Sequence, residues 1–244
     1  MNVLRLDLYQ QTACYKKPFA FKVSETYPLP PHSTVKGMLH AVLEATELIP
    51  MSISIQGQYD TMVTDYQTHY FFKTDKTEEF PLTVAGLDVE RDFQDITTMP
   101  IYTHMLYDVN LIIHVAAAPD VLQQLKQRID ESPVHLSLGR WEDLVRVDRC
   151  EWVELQEATE DLSLKQNAFI PLSMIQNSHI VYFPYQLNWT YRIVQGVRVW
   201  DKLNVGYVQG NTQNDISSDG EQTLWVDPYE DGVFFAPAIE ESTY

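Results

Sequence analysis

The segment Ser24-Glu25-Thr26-Tyr27-Pro28-Leu29-Pro30-Pro31-His32-Ser33-Thr34-Val35-Lys36-Gly37-Met38-Leu39 reads as a strand-to-helix junction. Three prolines in four residues fix φ and turn their predecessors away from the helical region, so the lead-in is extended. Ser33 stands where an N-cap belongs, with a hydroxyl that can accept an amide of the first turn. Val35, Met38, Leu39, Val42 and Leu43 then recur at helical spacing and predict a helix over about 34–47. Gly37, Ala41 and Ala45 form a second stripe, of small residues, where another group can approach the backbone. Lys36 sets a cation beside the helix-start amides, a combination suited to anions. On spacing alone, a capped helix with a stray lysine explains the same residues.

Outward from this junction the chain alternates strand and helix. Leu4, Leu6 and Leu8 alternate with Arg5, Asp7 and Tyr9 as a half-buried strand. Met51, Ile53 and Ile55 give a second strand, and Val109, Leu111, Ile113 and Val115 a third. Pro119 and Asp120 open a second helix in the favoured order, with Val121, Leu122, Leu125 and Ile129 as its core face. Val134, Leu136 and Leu138 read as a fourth strand. The order βαββαβ is ferredoxin-like: α+β, helices on one sheet face, the other left for a ligand or a second domain. That second face would present Arg5, Asp7, Tyr9, Asn110, His114, His135 and Ser137. Such polar faces are more often solvated or packed than ligand-binding.

At 244 residues, 45% of them hydrophobic, the chain can bury a full core in one large domain or two small ones. No apolar run is long enough to span a bilayer, and Met1 to Leu8 lacks a signal-peptide core. Two cysteines, Cys14 and Cys150, make neither a disulfide scaffold nor a zinc site. A cytoplasmic protein without membrane contact is the expectation. The net charge of −17 opposes nucleic-acid binding, which usually relies on basic patches. Its distribution is uneven. Residues 1–40 hold five bases against two acids, whereas the remainder has 12 bases against 32 acids. A nucleic-acid contact, if the chain makes one, should therefore concentrate in the first forty residues and around Arg140, Arg146 and Arg149, and the free protein should bind nucleic acid poorly.

Residues 60–100 are too long for an ordinary hairpin connection and carry nine acids against three bases. Their aromatics Tyr66, His69, Tyr70, Phe71 and Phe72 can stack on bases, or simply pack this insertion onto the domain. We place a first domain at 1–150 and a β-rich extension at 151–244, with runs such as Ile180-Val181-Tyr182-Phe183 and Tyr191-Arg192-Ile193-Val194 between turn signals.

Catalytic motifs are sparse. Ser33-Thr34-Val35-Lys36 matches S-x-x-K, but the S-D-N and K-T-G partners of acyl enzymes are missing. There is no Walker loop, G-x-G-x-x-G or H-E-x-x-H, and the acids at 88–95 lack EF-hand order. No metal and no cofactor are expected.

The pattern Tyr27-Pro28-x-Pro30-Pro31-x-Ser33-Thr34-Val35-x-Gly37 resembles the first βα junction of the CRISPR-associated Cascade subunit family Cas-five, a branch of the RAMP proteins. Leu136-Ser137-Leu138-Gly139-Arg140-Trp141-Glu142-Asp143-Leu144 is similar to the glycine signature that closes that family's domain, in a type I-B-like form. The resemblance covers about residues 3–147. It implies a non-catalytic, RNA-binding subunit that grips the 5′ handle of the CRISPR RNA (crRNA) and caps one end of an antiviral effector complex. Implied partners are Cas-seven-type backbone and Cas-eight-type large subunits, with target DNA near the PAM met indirectly. Residues 60–100 would be the family's thumb, which wedges into the guide–target duplex. Their acidity departs from a nucleic-acid surface. Handle phosphates would be held by the helix start at His32, Ser33, Thr34 and Gly37, with Lys36, Lys16 and Lys17 adding charge. Tyr15, Phe19 and Tyr27 would stack on handle bases, and Arg140 and Trp141 would close the other side. Two alternatives stand beside this. One is a metal-free endoribonuclease that processes the crRNA precursor, using Tyr27, His32 and Lys36, with His114 more distant in sequence. The other is a subunit that makes only protein contacts.

Overall fold

Leucines 4, 6 and 8 and the arginine between the first two set the two faces of the first strand, around which the chain is built. The computed structural model describes residues 1–18, 20, 23–72, 96–131, 135–175, 179–211, 215–216 and 223–236. In chain order the N-terminal part comprises β1 (Asn2–Ala13), β2 (Val23–Ser24), α1 (His32–Val42), β3 (Ser52–Gln58), β4 (Thr61–Phe72), β5 (Ile96–Ala116), α2 (Pro119–Asp130), β6 (Leu136–Ser137) and β7 (Leu144–Glu154). There follow β8 (Gln156–Glu157), β9 (Leu162–Ser163), β10 (Asn167–Pro171), α3 (Leu172–Ile175), β11 (Phe183–Val194), β12 (Val197–Val208), β13 (Asp215–Ile216), β14 (Trp225–Val226) and β15 (Gly232–Val233). The chain is thus mixed α/β and strand-rich. Among the described residues no helix is long and apolar enough to cross a membrane.

One sheet runs β11-β12-β10-β3-β5-β1-β7-β6, with β2 and β4 also paired to β5. β5 serves two purposes along its length. Its C-terminal half lies between β1 and β3, with Leu6 opposite Ile113 and Ile55 opposite the same residue. Its N-terminal half leaves the sheet as one leg of a long hairpin with β4, in register from Thr61–Tyr107 to Phe72–Ile96. The strand expected at 109–115 therefore starts much earlier, because the return leg of the insertion continues into it without a break.

The fourth strand is a correction. Leu136–Ser137 is only a two-residue edge pairing with β7, and the neighbour of β1 is β7 itself. The apolar alternation at Leu136 and Leu138 marked the approach to the turn, not the strand after it; Val134 lies outside the described residues. β7 also runs through position 150, and β10 joins β3 from the far side. Residues beyond 150 thus extend the same sheet.

α1 and α2 bury Val35, Leu39, Leu122 and Leu125 with Leu4, Leu6 and Ile113 in one core, to which Phe169, Leu187 and Trp189 also belong. α1 begins at His32, with Pro31 at the cap position and no side-chain cap. Ser33 is not the N-cap; the amides of Thr34 and Val35 donate to the Pro31 carbonyl instead. The helix stops at Val42, earlier than expected, and Glu44 follows with φ +53°.

The other sheet face is closed by the chain's own C-terminal strap, residues 225–236. Arg5 is buried there with Nη1 donating to Asp227 and Asp231 and Nε to Asp7 at 2.8 Å. His114 Nε2 lies 3.0 Å from the same Asp227 carboxylate. Phe234 N donates to Ser54 Oγ at 2.9 Å and Ala236 N to the Ile53 carbonyl at 3.1 Å. Burial would push the Asp227 carboxyl up, but hydrogen bonds from His114, the Asp231 amide and Arg5 hold it far below the usual carboxylate range. Of the two uses left open for this face, Arg5 and His114 serve packing.

Candidate nucleic-acid interface

Two surfaces of the described residues combine aromatic groups with cations. The first is a cleft of about 470 Å³ between the first turns of α1 and the β11–β12 hairpin. Ser33, Lys36, Gly37 and His40 line one side; Trp189, Tyr191, Arg198 and Trp200 line the other. The hairpin turns at Gln195-Gly196, both at positive φ. Pairing of Tyr191 with Trp200 and of Ile193 with Arg198 brings aromatic and basic residues together. Tyr191 and Trp200 sit with ring centroids 5.2 Å apart, and the Arg198 guanidinium lies 4.7 Å over the Tyr191 ring.

Lys36 is 7% exposed, not the open cation expected from the sequence. Its ammonium donates to the Trp189 carbonyl and lies 4.2 Å over the Trp189 ring. Burial pushes it down to about 8. The stem follows α1's packed side because β11 crosses directly above. His32 is fully buried beside Phe169 and Trp189, and neither ring nitrogen has a hydrogen-bond partner. Burial first, and then the Lys36 charge, push its imidazole down to about 3.

That shift has a sign. An unfolded histidine titrates near 6.5, so between pH 6.5 and 3 the unfolded chain binds the extra proton and stability falls as pH drops. The slope from this group approaches about 1.4 kcal/mol per pH unit. Urea midpoints at pH 7, 6 and 5 should fall steadily in the parent and much less in His32→Leu. Equal slopes in both would refute the buried, neutral imidazole.

The remaining expected site residues divide clearly. Tyr15 and Tyr27 are buried, Tyr15 donating to Gln10 Oε1 at 2.6 Å and Tyr27 meeting Tyr185 edge-on at 5.5 Å. Neither offers a face to a base: Tyr27 packs on Tyr185 of β11, and Tyr15 is buried between Gln10, Thr26 and the Gly139 turn. Lys16 is exposed. Lys17 pairs with Glu25 at 3.3 Å. Phe19 lies outside the described residues. Thr34 is half-buried and Gly37 exposed, with open space where a Cβ would stand. No group approaches α1 closely at Gly37, contrary to the small-residue stripe. Gly37→Ala should therefore raise stability by about 0.5–1 kcal/mol in thermal unfolding; a loss would mean that the helix surface there is occupied. With Tyr27, His32 and Lys36 all buried, the three residues considered for acid–base chemistry do not face a common open site.

The second surface is the long hairpin with the nearby glycine turn. Tyr66 is 60% exposed and meets Tyr102 edge-on at 5.4 Å, while Tyr70 is exposed and His69 half-buried. Phe71 and Phe72 stand opposite Thr97 and Ile96 in β4; their side chains, and residues 73–95, lie outside the described set. At the turn, Gly139 adopts φ +109°, and a Cβ there would stand 2.9 Å from Asp143 Oδ2 and 3.1 Å from the Cys14 carbonyl. Buried Asp143 accepts from Cys14 N at 3.0 Å, Arg140 N at 2.9 Å and Arg140 Nη2 at 2.7 Å. Gln10 Nε2 donates to the Leu138 carbonyl at 2.9 Å. Arg140 is therefore committed to Asp143 and Glu142. Trp141, 86% exposed, projects from the turn.

The sequence matches the family described as CRISPR-associated protein (Cas_Cas5) over residues 3–236. The chain belongs to the Cas5 family. Among curated proteins none matches this Cas5 chain. Among solved structures it is similar to a chain described as "CRISPR RNA-guided surveillance complex", with 15% identity, TM-score 0.53 and coverage of 85% of this chain and 90% of that one. A crystal structure of a CRISPR protein from Archaeoglobus fulgidus aligns with 10% identity, TM-score 0.47 and coverage of 96% and 98%. Sequence reasoning missed the hairpin wall of this Cas5 chain. The signal was available: Trp189-Thr190-Tyr191 and Arg198-Val199-Trp200 alternate on either side of Gly196, so a hairpin puts their aromatics on one face.

Proposed function

We propose that this Cas5 chain is a non-catalytic subunit of a type I CRISPR effector complex that holds the 5′ handle of the guide RNA and caps one end of the assembly. The observation carrying this reading is the family match across residues 3–236. The surveillance-complex chain of similar fold agrees with it. The order β3-β5-β1-β7 with α1 and α2 on one face supports a ferredoxin-like RAMP domain, and the β4–β5 hairpin with its exposed tyrosines is suited to a thumb that stacks on bases. The strands beyond β7 would form the β-rich extension. Backbone and large subunits of the complex are the partners we assign, and a cytoplasmic location follows from that role. A net charge of −17 means the other subunits must supply much of the phosphate neutralisation.

The test is co-expression with the neighbouring subunits and a guide precursor. The reading predicts stoichiometric chain and guide RNA in the purified complex, with no metal-free cleavage of labelled precursor by the chain alone. Cleavage would establish the endoribonuclease instead, and a complex that retains its guide when the chain is omitted would leave only protein contacts.

A further inference from the structure

The β11–β12 hairpin contributes something the RNA-binding reading does not itself require. Six of the seven described arginines, Arg5, Arg128, Arg140, Arg146, Arg149 and Arg192, each have a carboxylate within ion-pair distance. Arg198 is the exception among the described residues. It is exposed, its guanidinium rests on the Tyr191 ring, and it lines the cleft beside α1. In a chain of net charge −17, an arginine kept clear of carboxylates leaves a cation for a ligand. The same cleft holds the Lys36 ammonium against Trp189 and the His40 ring, and Glu47 is its one acidic lining residue. Trp200 and Tyr191 form an aromatic wall, and Ser33 adds a hydroxyl. The volume of about 470 Å³ falls within the range of small-ligand pockets, roughly 300–1,000 Å³. An aromatic wall with cations at its rim is the chemistry of a nucleotide whose base is unpaired.

We propose that this cleft is a subsite for one unpaired nucleotide of a single-stranded RNA, its base against Trp200 and Tyr191 and its phosphate on Arg198. The inference rests on the RNA-binding reading and adds to it a second contact region, remote in sequence from the β4–β5 hairpin. Arg198 binds the phosphate as a fork and Trp200 supplies a sequence-tolerant face, so the subsite fixes register without reading base identity.

The experiment titrates the full chain at low ionic strength into a fluorescein-labelled, single-stranded 8-nucleotide RNA of mixed sequence, followed by anisotropy. Trp200→Ala should weaken binding about tenfold, with Trp200→Phe restoring most of it. Arg198→Glu should weaken binding at least as much and lower the salt slope by about one phosphate contact, roughly 0.7. Arg128→Glu, on α2 and outside the lining of the cleft, should leave affinity within about twofold. A purely structural role for Trp200 would lower the unfolding midpoint without a change in salt slope for Arg198→Glu, and would overturn the proposal. Unchanged RNA affinity in both variants, with loss of assembly onto the other subunits, would make the cleft a protein-docking site and also overturn it. If the unaltered chain binds no RNA, the subsite falls; guide RNA retained by the assembled complex would still uphold the subunit reading.

Discussion

Asp227→Ala should lower the unfolding free energy by about 3 kcal/mol or more. The Asp227 side chain is fully buried and accepts four hydrogen bonds: Arg5 Nη1, His114 Nε2 at 3.0 Å, and the Tyr229 and Asp231 amides at 2.9 Å each. Its removal leaves His114 with no partner at either ring nitrogen, since Nδ1 has none already. Arg5 keeps Asp231 and Asp7, which holds the cost toward the lower end for a broken buried pair. Asp227→Asn should cost less, because an amide oxygen still accepts the two backbone amides. Urea unfolding measures both. An exposed pair gives the contrast: Arg146→Ala, which breaks the Arg146–Asp148 bridge, should leave the urea midpoint nearly unchanged. If Asp227→Ala behaved like Arg146→Ala, the strap would not be anchored by this cluster.

Gly139→Ala should be comparably damaging, by about 2–4 kcal/mol, for two additive reasons. Its φ of +109° is strained for any side chain, a cost of about 1–3 kcal/mol. A Cβ would also press on Asp143 Oδ2 and the Cys14 carbonyl. Asp143 is the residue that ties this turn to the end of β1, so the clash falls on the bond that positions Arg140 and Trp141. Asp143→Ala should reproduce the loss by leaving Cys14 N without its acceptor and Arg140 without its buried partner. Thermal or urea denaturation of the two variants, singly and together, provides the check. The double variant should cost less than the sum, because both disrupt one network. Full additivity would mean the glycine and the carboxylate act independently.

Much of the scaffold was legible in the sequence because period and punctuation carried it. The alternation at Leu4, Leu6 and Leu8, the prolines before α1 and Pro119-Asp120 before α2 each place an element correctly. The failures have a shared cause: they depend on what lies across from a residue. Lys36 reads as exposed until β11 is laid over α1, and Tyr27 reads as a stacking platform until Tyr185 of β11 closes on it, as Tyr15 does until Gln10 and the Gly139 turn enclose it. Arg5 and His114 read as an open polar face, although their partners Asp227 and Asp231 lie more than a hundred residues away in sequence. The fourth strand was displaced because the apolar run before Gly139 and the run after it look alike, and only β7 is long enough to pair with β1 throughout. Arg198 was invisible as a special arginine until every other described arginine was seen to have a carboxylate.

The most direct test of a guide-holding subunit is ultraviolet crosslinking of the assembled complex, with crosslinked peptides identified by mass spectrometry. The account predicts RNA adducts within this chain, on peptides that carry Tyr66, Tyr102 or Trp141 and on the 189–200 hairpin. Adducts confined to the other subunits, with none on this chain, would contradict it.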